Sequence, residues 1–171
     1  MDHRTAQFEQ AIWPHSRAAY NFARWLVRND HDAEDIVQES FLKALGAIDT
    51  LRGGDVRPWL LAIARNTALN FLNRQRPAMQ AEGSESIEQR RDTAPDPEHS
   101  LIAQSRRNRV RSAIARLQPE FREALVLREI EGLAYKEIGF VLKIPIGTVM
   151  SRLSRARNLL AQELLTEGAE L

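Results

Sequence analysis

The 171-residue sequence predicts an all-α protein: two small helical domains joined by a flexible acidic linker, the second domain containing a helix-turn-helix. Three observations carry this reading. Apolar residues recur at helical spacing along most of the chain, and no stretch alternates apolar and polar residues between turn residues for long enough to make a strand. Residues 77–100 hold Pro77, Gly83, Ser84, Ser86, Pro95 and Pro97 among acids and glutamines, without any apolar repeat, which is the composition of a tether. Residues 134–160 place two apolar helical segments on either side of Lys143-Ile144-Pro145. The resulting boundaries are 1–76, 77–100 and 101–171.

Taken in order, Phe8, Ala11 and Ile12, then Phe22, Ala23, Leu26 and Val27, predict two helical stretches near Pro14. A third helix is predicted to open at Asp32 as its N-cap, with Ala33, Ile36, Val37, Phe41, Ala44 and Leu45 along one face. After Gly53-Gly54, a fourth is predicted from Pro58, a residue suited to a first helical position, to about Arg74, with Leu60, Ile63, Ala64, Ala68, Phe71 and Leu72 inward. Beyond the tether, helices are predicted over 101–117 and 120–131, ahead of the helix-turn-helix. In that last motif Ile138, Val141, Leu142, Ile144, Val149, Leu153 and Ala156 share one core.

With 43% apolar residues the chain can bury a core, and its apolar runs are too short for a membrane span or a secretion signal. The absence of cysteine excludes disulfides, thiolate metal sites and thiol catalysis, and fits a reducing cytoplasm. Four scattered histidines and the lack of a phosphate-cradling glycine loop leave no catalytic constellation, so no enzyme and no cofactor is expected. His31, Asp32, Glu34 and Asp35 cluster in sequence, but neighbouring positions at a helix start do not converge on one ion, so no metal is expected either.

The net charge of +1 gives no bulk attraction to nucleic acid, but its distribution is uneven. Residues 77–100 carry 2 basic and 6 acidic side chains, and 101–171 carry 12 and 8. Between Glu137 and Glu163 there is no acid, and Thr148, Ser151, Arg152 and Arg155 fall on the outward face of the motif's second helix, suited to a major groove. The bland alternative is a helical hairpin with solvated arginines. Between Arg57 and Arg76 there is again no acid, and Arg65, Asn66, Asn70, Asn73, Arg74 and Arg76 lie off the apolar stripe, a composition that can hold bases and backbone of a single strand. Trp59 can either stack on an unpaired base or pack at the helix start. Glu34, Asp35, Gln38 and Glu39 make an acidic stripe that either faces solvent or meets a basic partner.

This order of features resembles the extracytoplasmic-function group of bacterial sigma factors, the smallest members of the sigma-70 family, over nearly the whole chain. The resemblance rests on Asp32-Ala-Glu-Asp-Ile-Val-Gln-Glu-Ser-Phe-Leu-Lys-Ala, on Arg57-Pro-Trp-Leu-Leu-Ala-Ile-Ala-Arg-Asn-Thr-Ala-Leu-Asn-Phe-Leu, on Leu117-Gln-Pro-Glu-Phe-Arg-Glu-Ala-Leu-Val-Leu-Arg, and on Gly147-Thr-Val-Met-Ser-Arg-Leu-Ser-Arg-Ala-Arg. It implies an alternative sigma factor that binds core RNA polymerase and directs promoter-specific initiation, monomeric when free and regulated by an anti-sigma factor. By the resemblance Asp32, Glu34, Asp35, Gln38 and Glu39 dock on the polymerase clamp helices. Trp59, Arg65, Asn66, Asn70, Asn73, Arg74 and Arg76 would bind the −10 element, and Thr148, Met150, Ser151, Arg152, Arg155 and Arg157 the −35 element of promoter DNA.

Two departures stand out. Lys143 occupies the turn position where similar proteins usually have Gly, and a non-Gly residue at positive φ costs on the order of 1 kcal/mol. Met150 replaces a residue often basic in relatives, so the sequence preference of the reader is expected to differ. The alternative reading is a dimeric helix-turn-helix regulator without sigma activity, which would bind a palindromic operator.

Overall fold

The computed structural model describes residues 3–81 and 100–169, and among them every regular element is helical. Helix α1 (His3–Ala11) passes through a 3-10 turn at Trp13–His15 into α2 (Ser16–Val27), which buries Ala19, Phe22, Ala23 and Leu26. Arg28 then turns left-handed at φ 59°, its N–H bonded to the Arg24 carbonyl at 2.9 Å, and the chain re-enters a helix at once. The N-cap of α3 (Asp30–Ala47) is Asn29, whose side-chain oxygen accepts from the Asp32 N–H at 3.0 Å. This corrects the expected start at Asp32. Both residues can cap, and the left-handed step at Arg28 decides for Asn29; Asp30 and Asp32 then lie in the first turn, where their charge suits the helix dipole.

Helix α4 (Val56–Ala81) is capped by Asp55, which accepts from the Arg57 N–H at 3.0 Å. Pro58 is therefore its third residue, still in the turn whose N–H groups have no partner within the helix. The helix continues through Pro77, so residues 77–81, expected in the linker, are helical; the rest of that expected linker, 82–99, lies outside the described residues. Then follow α5 (Ser100–Arg116), α6 (Pro119–Leu125), a π-turn at Val126–Ile130, α7 (Tyr135–Leu142) and α8 (Ile146–Ala169). The single helix expected over 120–131 is thus divided: the Glu131 N–H reaches back five residues to the Val126 carbonyl at 3.0 Å.

The core is organised about α4. Leu60 packs with Ile12, Ala19, Ala44 and Ile48 in one cluster. One position on, Leu61 joins Ala68, Phe22, Leu26 and Ile36 in a second cluster that runs on through Leu125, Leu127, Leu133, Ile138 and Val149. The two helical blocks therefore share buried apolar surface, with α4 packed on α7, and α2 on α6 and the π-turn. Burying a leucine as fully as Leu61 contributes about 1.5–3 kcal/mol to such a core.

Polar groups cross the same boundary. The Arg65 guanidinium donates from Nη2 to Glu123 Oε2 at 3.1 Å and from Nε to both carboxylate oxygens at 3.3 Å, with side chains only 16% and 5% exposed. Arg57 Nη1 donates to the Glu131 carbonyl at 2.9 Å. Arg122 reaches the Leu117 carbonyl at 2.8 Å and the Trp25 carbonyl at 3.4 Å, so one cation sits at the ends of two helices. Desolvation, then the neighbouring Arg28, push the Arg122 guanidinium down to about 10, and burial pushes the Glu131 carboxyl up against the opposing effect of Arg57.

Candidate nucleic-acid interface

The helix-turn-helix is built on a close approach. Lys143 is left-handed (φ 56°, ψ 47°), as its place in the turn predicts, and both its N–H and that of Ile144 return to the Gly139 carbonyl, the latter at 3.1 Å. A Cβ on Gly139 would stand 3.0 Å from the Ile144 carbonyl oxygen. Gly139→Ala is therefore expected to destabilise the motif by about 1–2 kcal/mol despite the better helix propensity of alanine, whereas Lys143→Gly stabilises it by up to about 1 kcal/mol; thermal unfolding of both variants checks the pair. Glu137 accepts from the Ala134 N–H at 2.8 Å at the start of α7, and the Pro145 carbonyl accepts from Thr148 and Val149 at 3.0 and 3.1 Å at the start of α8.

On α8, Val149, Leu153 and Ala156 are buried. The opposite side exposes Met150, Ser151, Arg155 and Arg157, with Thr148 and Arg152 half-buried at its edges. Arg155 lies with its guanidinium 5.8 Å from the Phe121 ring centre, and Arg152 approaches Glu120 at 3.8 Å, a loose pairing that leaves the fork usable. Arg157 is differently placed. It donates to Glu129 Oε1 from Nη2 at 2.7 Å and from Nε at 3.2 Å, and hydrogen bonds to Glu129 and then Tyr135 raise its pKa.

In the first block, Glu34, Asp35 and Gln38 point outward on α3, and Asp32 is half-buried at its start. Glu39 turns instead towards α4: Lys43 hydrogen-bonds it at 2.8 Å, which chiefly holds its carboxyl below the usual range, and Arg74 stands 3.8 Å away. On α4 the exposed group is Asn70, Asn73, Arg74 and Arg76, with Asn66 half-buried. Trp59 packs against the Ile12 cluster, and Arg65 is engaged with Glu123. Sequence reasoning missed Glu123, Arg122 and Glu131, whose importance lies in partners more than fifty residues away. Among the described residues no group of three or more His, Asp or Glu side chains could hold a metal ion, and no helix is long and apolar enough to cross a membrane.

Residues 12–78 match the family model for Sigma-70 region 2, and residues 107–160 that for Sigma-70, region 4. The chain is 32% identical over 163 residues to the ECF RNA polymerase sigma factor SigE of Mycolicibacterium smegmatis, spanning 95% of this chain and 63% of that protein. It is 40% identical over 136 residues to the ECF RNA polymerase sigma-E factor of Escherichia coli, spanning 74% and 71% of the two chains. Among solved structures, the sigma factor RpoE in complex with the anti-sigma factor NepR from Bartonella quintana superposes with TM-score 0.78 at 28% identity, over 92% of this chain and 96% of that one. CnrH in complex with the cytosolic domain of CnrY gives 0.68 at 26% identity, over 95% and 90%. Both matched regions stand in one chain and in the family's order, flanking the junction between the two helical blocks: the chain belongs to the extracytoplasmic-function group of the sigma-70 family.

Proposed function

We propose that the chain is an alternative sigma factor: it binds core RNA polymerase, directs initiation at promoters with its own pair of elements, and is held in reserve by an anti-sigma factor in the cytoplasm. The observation that carries this reading is the pairing, in one chain, of an outward acidic stripe on α3 with the exposed, acid-free first part of α8, from Ile146 to residue 162. A promoter-reading subunit needs both, one for the polymerase and one for DNA.

In this reading Glu34, Asp35 and Gln38 dock on the clamp helices. Asn70, Asn73, Arg74 and Arg76 hold unstacked bases and backbone of the −10 element, and α8 lies in the major groove at −35. Trp59 serves the core of the first block, and Glu39, Arg65 and Arg157 have internal partners that they exchange for polymerase or DNA. No chemical step falls to this chain. Opening the promoter uses binding free energy, since capturing flipped bases offsets the few kcal/mol that unstacking each one costs.

Support for the anti-sigma partner comes from shape. The relative that superposes over 92% of this chain was solved bound to an anti-sigma factor, and here the two blocks are packed together with Arg65 covered. The test is transcription in vitro: purified chain, core polymerase and a library of promoter-containing genomic fragments, with core alone as control. New start sites sharing two upstream motifs are the expected result. Absence of starts, together with failure to bind core, would sink the proposal in favour of the dimeric regulator. Arg152→Ala is expected to cost about 1–3 kcal/mol and to relax preference at one base position, measured on promoters substituted singly across the −35 element.

A further inference from the structure

The outward face of α8 is not uniformly polar. Ile146, in its first turn, is 47% exposed, and Met150, one turn on, is 54% exposed. Between and beside them lie Gly147, exposed and with nothing within 4 Å of where a Cβ would stand, and the exposed Ser151. The surrounding charge is mainly positive: Lys143, Arg152 and Arg155 flank the stripe, no acid occurs between Glu137 and Glu163, and Glu120 approaches only the Arg152 side, at 3.8 Å. An apolar protein partner is poorly served by such a cationic rim, whereas duplex DNA is anionic outside and presents one apolar group in the major groove, the thymine C5-methyl.

We propose that Met150, backed by Ile146, is a thymine reader, seating its side chain against a thymine methyl of the −35 element. This inference rests on α8 being the −35 reader and adds the base class it selects. A thioether offers almost no hydrogen bond to a base edge, so Met150 contributes nothing to recognition of guanine or of phosphate. It has unbranched reach and gains from covering a methyl group, while Gly147 lets the backbone approach the groove floor. The arginines read by hydrogen bonds around it.

The test uses holoenzyme assembled from core polymerase with the wild-type chain, Met150→Ala or Met150→Leu, selecting active templates from promoters randomised across the −35 region. The wild-type and Leu holoenzymes are expected to select T at one position where the Ala holoenzyme does not discriminate. Replacing that T by deoxyuridine removes the methyl alone. It is expected to lower open-complex formation by the wild type about fourfold, the value of one buried methyl, and to leave Met150→Ala unmoved. A selected −35 motif without any thymine that depends on Met150, or a deoxyuridine template as active as the thymidine one, overturns the assignment and leaves the −35 reader standing. A selection that yields no motif overturns the reader itself, and this inference with it.

Discussion

Reversing two charges on α3, Glu34→Lys together with Asp35→Lys, is expected to abolish promoter-directed transcription, with a loss of at least about a hundredfold. Both side chains are exposed, so folding should change by less than about 0.5 kcal/mol. The loss arises at the partner. Like charges brought together in an interface cost several kcal/mol, and each 1.4 kcal/mol is tenfold in affinity. The reading is made with core-binding and transcription assays beside a thermal melt. A variant that melts normally but neither binds core nor initiates supports docking through α3. A variant that still initiates at its promoters would remove the stripe from the polymerase interface, and the dimeric-regulator reading predicts that outcome for DNA binding.

The second large effect concerns the boundary between the helical blocks. Glu123→Ala leaves the Arg65 guanidinium, only 16% exposed, without its carboxylate, and breaking a buried pair from one side costs about 3 kcal/mol. For a chain of this size that lowers Tm by roughly 6–12 °C. Arg65→Ala should cost less, because Glu123 retains the neighbouring Arg122 cation, and the double variant should be more stable than the sum of the two losses implies. Non-additivity of about 1–3 kcal/mol in thermal or denaturant unfolding is the expected signature. Strict additivity would mean that the pair contributes nothing to holding α4 against α6.

What could be read beforehand follows the range of the interactions. The helix-turn-helix was legible because its signals are local: an apolar repeat, a proline in the turn, an acid-free stretch; the left-handed Lys143 followed from the family resemblance. The apolar face of α3 and most of that of α4 were legible for the same reason. Leu61 was not, since the cluster it enters is completed by residues far along the chain, such as Leu127, Leu133 and Ile138. Nor was the cap at Asn29, where two competent residues competed and a neighbour's backbone settled the matter. Of the candidate contacts, those on surfaces remained on surfaces: Glu34, Asp35, Gln38, Asn70, Asn73, Met150 and Ser151. Trp59, Arg65 and Arg157 found partners inside the molecule, and sequence spacing carries no record of a carboxylate arriving from another helix.

Glu123 occupies the Nε–Nη2 edge of the Arg65 fork, and the helix that carries Arg65 also carries the exposed asparagines and arginines beyond it. In the proposed reading, where α4 engages DNA through that same edge, closure of the blocks and ligand binding would be linked equilibria subject to reciprocity: whatever factor closure takes from the affinity of that ligand, the ligand takes from closure. The strength of the Arg65–Glu123 pair becomes a set point, and drift in either residue would retune how much binding free energy is needed before the chain opens.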